Sequence, residues 1–287
     1  MRIACIIDTS GKVQHNRVRA FREYITDATF GVFLPDEKIP LDEYDVLYYA
    51  NAGLYEQKRV KHRHMCGSIT SHKPYRKLNI FDRISVNNQM LYDEYQQIHK
   101  NVTYIPNGVR QDVFTFEPTP LVKPFRIGWV GNVDRSVKNY DILLRLMERF
   151  NDGRNFKFDI VGSSKKDGAK QLHPLRKMVP YYQRLNFFLV TSTSEGTPNP
   201  ALEAASCGVP LISSYVGNMP QLINSSNGWL APRKGDIFQF VSETLESLKA
   251  FDADKYNAMR LQIRKDIEAN WTWKQRMPLY RDFFLKW

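Results

Sequence analysis

Two glutamates with seven residues between them bracket a turn that is suited to bind an anion. The run is Glu195-Gly196-Thr197-Pro198-Asn199-Pro200-Ala201-Leu202-Glu203. Asn199 can cap a helix whose first position is Pro200, and Gly208 stands where that helix would end. The Gly-Thr-Pro turn keeps backbone amides open above the helix start. Open amides and the positive pole of a helix together favour phosphate. Glu203 falls in the first turn of that helix, and Glu195 just before the turn, after the apolar run Phe187–Val190. A carboxylate accepts two hydrogen bonds from a vicinal diol, so the run suits a ligand carrying both phosphate and sugar hydroxyls.

Such a run needs a frame, and the rest of the chain reads as strands alternating with helices. In the first half, strand-like runs occur at Ile3–Ile7, Phe30–Leu34, Val46–Tyr49, Arg83–Val86 and Val102–Ile105, with helical stretches near Asn16–Tyr24 and Asn88–Ile98. Phe114 to Lys123 holds Pro118 and Pro120 and has no apolar periodicity, which marks a linker. Beyond it the pattern restarts. Phe125–Val130, Phe156–Val161, Asn186–Thr191 and Val209–Ser213 read as strands; Asp141–Phe150, Leu175–Arg184, Pro200–Cys207, Ile237–Leu248, Tyr256–Ala269 and Trp273–Phe284 read as helices. This order predicts two doubly wound parallel sheets, residues 1–117 and 122–271, with a ligand cleft at the carboxyl ends of the strands.

The Glu-x7-Glu spacing followed by Ala204-Ala205-Ser206-Cys207-Gly208-Val209-Pro210-Leu211-Ile212 resembles the signature of family-4-type retaining glycosyltransferases, the group 1 glycosyl transferases. Val216 to Ile223 and Asn227-Gly228-Trp229-Leu230 continue that pattern. The resemblance implies an α/β GT-B fold, two Rossmann-like domains facing each other across a cleft, with helix 272–287 packing back on the first. It also implies that Glu203 holds the ribose and Glu195 contacts the sugar of a nucleotide diphosphate-sugar, UDP- or GDP-linked. The amides around Thr197 to Ala201 would then face the sugar and the diphosphate, with Gly196, Pro198 and Asn199 in the same donor-binding loop. Ile127-Gly128-Trp129-Val130-Gly131-Asn132 with downstream Lys138 resembles the family's glycine turn and its cation. The usual arginine is replaced by Asn132, which leaves Arg135 as a substitute. Without a metal, such cations would neutralise the leaving diphosphate. Asn107-Gly108-Val109 with Phe114 resembles a further family segment, Arg110 standing in place of its Asp. Gly11 occupies the place of a glycine loop, and His72, after Ser71, that of a histidine contacting the sugar.

Composition limits the alternatives. The chain has 287 residues, a hydrophobic content of 43%, a net charge of +11 and three cysteines. That is a globular composition without a disulfide framework, and a cytoplasmic location is the expectation. Residues 1–120 carry 16 Lys+Arg against 14 Asp+Glu, so most of the excess lies later. One cluster sits early: Lys58, Arg59, Lys61, Arg63, Lys73, Arg76 and Lys77 fall between residues 57 and 77 with no acid among them. A membrane surface, a phosphate-rich polymer or DNA would suit it, and DNA-base glycosylation is an alternative acceptor chemistry. A sugar-nucleotide epimerase and an inactive sugar-nucleotide-binding protein are further alternatives. His62-x-His64-x-Cys66 lacks a matching fourth ligand, so no metal site is expected. No Walker-type loop, Gly-x-Ser-x-Gly or Gly-x-Gly-x-x-Gly is present, which disfavours ATPases, hydrolases and dehydrogenases.

Overall fold

The computed structural model describes residues 1–9, 13–75, 77–163 and 175–287. Packing divides the chain into Met1–Gly108 with Trp273–Trp287, and Val109–Thr272. The division falls ahead of the proline-bearing stretch, because Phe114 is buried in the second unit's core and its carbonyl accepts from Ser206 Oγ at 2.8 Å.

The first unit contains β1 (Arg2–Ile6), α1 (Val13–Tyr24), β2 (Thr29–Phe33), β3 (Val46–Tyr49), β4 (Met65–Ile69), β5 (Arg83–Val86), α2 (Gln89–Tyr95) and β6 (Val102–Tyr104). All six strands pair in parallel in the order β2-β1-β3-β4-β5-β6. β4 was not among the expected strands. Every one of its five residues is buried, so the sequence shows no alternation there. Asn88, read as the first helical residue, is instead the cap of α2: its side chain accepts from Leu91 N.

The second unit contains β7 (Phe125–Asn132), α3 (Tyr140–Phe150), β8 (Phe156–Ser163), α4 (Leu175–Gln183), β9 (Phe187–Val190), α5 (Asn199–Ser206), β10 (Leu211–Ser213), α6 (Met219–Leu222), β11 (Gly228–Leu230), α7 (Ile237–Leu248) and α8 (Ala253–Asn270). Its parallel sheet runs β11-β10-β9-β7-β8. From β7 the chain passes to β8 on one side and then to β9 on the other. The carboxyl ends of β7 and β9 therefore flank a topological switch point, where open α/β sheets bind ligands. The last helix, α9 (Trp273–Leu285), belongs to the first unit; its Trp273, Met277, Tyr280, Phe283 and Phe284 pack with Phe21 of α1 and Phe30 of β2. Among the described residues no helix is long and apolar enough to cross a membrane.

Candidate functional site

Loops at the ends of β7 and β9 bring Lys138 and Glu195 together. β7 ends at Asn132, whose side chain accepts from Asp134 N at 2.9 Å and closes a turn. A single 3-10 turn, Ser136–Lys138, follows. The chain after β9 is tied to it: Thr191 Oγ1 donates to Lys138 O at 2.8 Å, and Thr193 N to Val137 O at 2.9 Å. The Trp129 indole N–H fixes Thr191 from the sheet side at 3.1 Å. So held, Lys138 Nζ lies 2.5 Å from Glu195 Oε1, and Ser192 Oγ donates to the same oxygen at 2.7 Å. Both side chains are largely withdrawn from water, 12% and 9% exposed. They line one pocket with Trp129, Ser192, Pro198 and Ala201.

The helix after this loop starts differently from the sequence expectation. α5 begins at Asn199, so Asn199 is not its cap; Pro198 precedes the helix and makes no side-chain capping bond. The reason is that Ala201 N donates to Pro198 O at 2.9 Å, closing the first turn one residue early. Ala201 therefore uses its amide inside the helix, and Pro198 and Pro200 have none. Gly196, Thr197 and Asn199 supply the amides of the loop. The earlier start also moves Glu203 into the second turn. Its side chain still leans toward the helix start, as helical side chains do. Gly208 ends the helix with φ +75°, its N–H bonding to Ala205 O at 2.9 Å.

Glu203 has a partner that the sequence does not disclose. Tyr182 on α4 donates its hydroxyl to Glu203 Oε2 at 2.7 Å. Burial pushes the Glu203 carboxyl up to about 7, against the lowering effect of the Tyr182 hydrogen bond.

The loop is also supported from beneath. Gly217 has φ +54°, and a Cβ there would lie 2.5 Å from Gly196 O. Asn218, fully buried, donates from Nδ2 to Thr197 Oγ1 at 3.4 Å. Gly131 is buried where a Cβ would strike the Trp129 ring at 2.5 Å.

The remaining expected residues lie elsewhere. Arg135 is exposed at the start of the 3-10 turn and has no ion-pair partner among the described residues. His72 follows β4 in the first unit, its Nδ1 3.6 Å from Glu94 Oε2. Gly11 and Arg76 lie outside the described residues. The basic run is less free than its composition suggests, since Arg59 and Lys77 both face Glu56 and Lys58 Nζ donates to Glu37 O at 2.6 Å. His62, His64 and Cys66 do not converge: His62 Nδ1 faces the main chain of His64, whose ring lies tilted against Trp287, and Cys66 is core. Arg110, in place of the family's Asp, grips Asp112 through two nitrogens.

Residues 124–249 match the family described as glycosyl transferases group 1. A capsular polysaccharide biosynthesis glycosyltransferase of Staphylococcus aureus, CapM, is 20% identical over 205 residues, which are 62% of this chain and 53% of that protein. The chain thus spans about half the length of that curated relative. Sucrose-phosphate synthase of Thermosynechococcus elongatus matches over 100% of both chains with a TM-score of 0.72 at 15% identity. Anabaena HepE, solved in complex with UDP and glucose, also matches over 100% of both, with a TM-score of 0.73 at 12% identity. The family match is thus confined to residues 124–249, while the likeness to these solved structures extends over the whole chain and gives it the GT-B fold.

Proposed function

We propose that the chain is a retaining glycosyltransferase that moves a sugar from a nucleotide diphosphate-sugar to an acceptor hydroxyl without a metal ion. The observation that carries this reading is the Lys138–Glu195 pair, set beside the amide-bearing turn that leads into α5. An anion bound at that turn gains the helix pole and the Lys138 ammonium. Glu203 takes the ribose hydroxyls and Glu195 those of the sugar. The HepE structures with UDP and with UDP-glucose favour a uridine nucleotide here.

In this scheme the bond between the anomeric carbon and the diphosphate oxygen breaks as the acceptor oxygen attacks from the same face. The acceptor proton passes to the departing phosphate oxygen, and the nucleoside diphosphate leaves. Lys138 stabilises the charge growing on that oxygen, with Arg135 as a second cation. Glu195 orients the sugar rather than attacking it. The acceptor carries an anionic group drawn to Lys61, Arg63 and Lys73, which are exposed and have no ion-pair partner among the described residues.

The test is a panel of UDP-, GDP-, dTDP- and ADP-sugars read by thermal shift, since a bound ligand stabilises the fold by mass action. Transfer from the stabilising sugar nucleotide should follow, with the anomeric configuration kept. No stabilisation by any of them, or an inverted product, would overturn the reading.

A further inference from the structure

Tyr182 is fully buried on the last turn of α4, and its ring is set edge-on by Phe114, Tyr181 and Phe188. Packing, not the carboxylate, therefore decides where its hydroxyl points, and it points at Glu203 Oε2. The other groups around α5 do little for the charge of Glu203. From α8, Arg264 donates to the carbonyls of Phe114 and Ser206, and Arg260 to those of Glu117 and Cys207. The Cys207 thiol, just past the end of α5, is pushed up to about 12 by burial, and burial raises the Tyr181 phenol as well, so both stay neutral. β9 and β10 present Phe187-Phe188-Leu189-Val190 and Leu211-Ile212-Ser213, none of them titratable.

We propose that Tyr182 is a positioning residue for the sugar nucleotide: by occupying Oε2 of Glu203, it turns Oε1 toward the ribose diol and helps keep the carboxylate ionised. The proposal rests on the reading that Glu203 holds the ribose. A diol gripped through its hydroxyl protons needs the charged form, because a carboxylic acid gives up part of its acceptor capacity. With the carboxyl at about 7, affinity falls as the pH drops through neutrality. Tyr182 sets where that fall occurs, since its hydrogen bond opposes the effect of burial.

The experiment is calorimetric titration of UDP-glucose into the full chain from about pH 6 to about pH 9; this ester has no phosphate proton titrating there. Tyr182→Phe should weaken binding about 3- to 10-fold near neutrality, the loss of one hydrogen bond. It should also move the midpoint of the affinity profile to higher pH and lose most of its defect at the alkaline end. Site-specific 3-fluorotyrosine at position 182, a more acidic phenol of nearly the same shape, should move the midpoint to lower pH. That second protein carries the test if the Phe variant does not fold. An unmoved midpoint in either folded protein overturns the proposal. Glu203→Ala separates the two claims: undiminished affinity sinks the ribose assignment, and the proposal with it. Loss in Glu203→Ala with an unchanged Tyr182→Phe profile leaves the assignment standing and removes Tyr182 alone.

Discussion

Lys138 Nζ and Glu195 Oε1 lie 2.5 Å apart, on loops that follow two different strands of one sheet. An ammonium has three N–H donors, so one can stay on Glu195 while the others meet phosphate oxygens. The geometry then links two tasks. In the proposed scheme, the carboxylate that orients the sugar is steadied by the cation that meets the leaving group. Because the pair is only 12% and 9% exposed, water competes weakly for either partner.

Lys138→Ala should therefore lower kcat about 100- to 1,000-fold, the usual cost of removing one group that stabilises a developing oxyanion. Glu195→Ala should lower it as well, and the double variant by much less than the product. Steady-state transfer rates for the four proteins give the coupling. Additive losses, within about 0.5 kcal/mol, would show that the pair does not act as a unit.

Gly217→Ala tests the support of the turn. The position has φ +54°, and the added Cβ would meet a backbone oxygen of the loop, Gly196 O, at 2.5 Å. Gly153 is the matched control, with φ +64° and nothing within 4 Å. Both alanines should cost about 1–2 kcal/mol of stability for the left-handed backbone. Only Gly217→Ala should also weaken UDP-glucose binding, because only it moves the loop. Urea unfolding and calorimetry together decide; equal binding in the two variants would refute the steric argument.

The limits of what could be read from sequence follow from the physics of each element. β3 was legible residue for residue as an apolar run, and β5 as an alternation of Arg83 and Ser85 with Ile84 and Val86. β4 was not, since a strand buried on both faces has no period and Gly67 and Ser68 dilute its apolar signal. The Glu195–Glu203 spacing was legible because local turn chemistry sets it. The start of α5 was misplaced because Pro198 and Pro200 each suit the first turn of a helix. Tyr182 was invisible: it is 21 residues from Glu203, and the packing of α4 on α5 brings them together.

Arg260 and Arg264 should matter to stability rather than chemistry. Arg260 is 1% exposed and donates to the carbonyls of Glu117, Thr119 and Cys207, binding the entry to the second unit and the end of α5 to α8. Arg260→Ala would leave those carbonyls without their charged donor, a loss of about 2–4 kcal/mol. The urea midpoint should fall accordingly. The affinity of the folded variant for UDP-glucose should hold, and a selective loss of binding would contradict this separation of roles.

Glu203 should make the fold less stable as the pH rises. Its folded-state carboxyl, raised to about 7 by burial, holds its proton at pH values where the unfolded chain has lost it. Between the unfolded value near 4.3 and the folded one, the native state thus binds more protons, and stability declines with increasing pH. Glu203→Gln keeps an acceptor for Tyr182 and removes the titration. At about pH 8 the variant should be more stable than the parent by about 1–2 kcal/mol, a figure reduced because Glu203 keeps part of its surface in water. The advantage should vanish below about pH 4, where the parent carboxyl is protonated in the folded and the unfolded chain alike. Affinity for UDP-glucose should move the opposite way, lost in the stabilised variant, as at sites where function retains a strained charge. Parallel urea curves for parent and variant at the two pH values would show that Glu203 ionises in the fold as freely as in water.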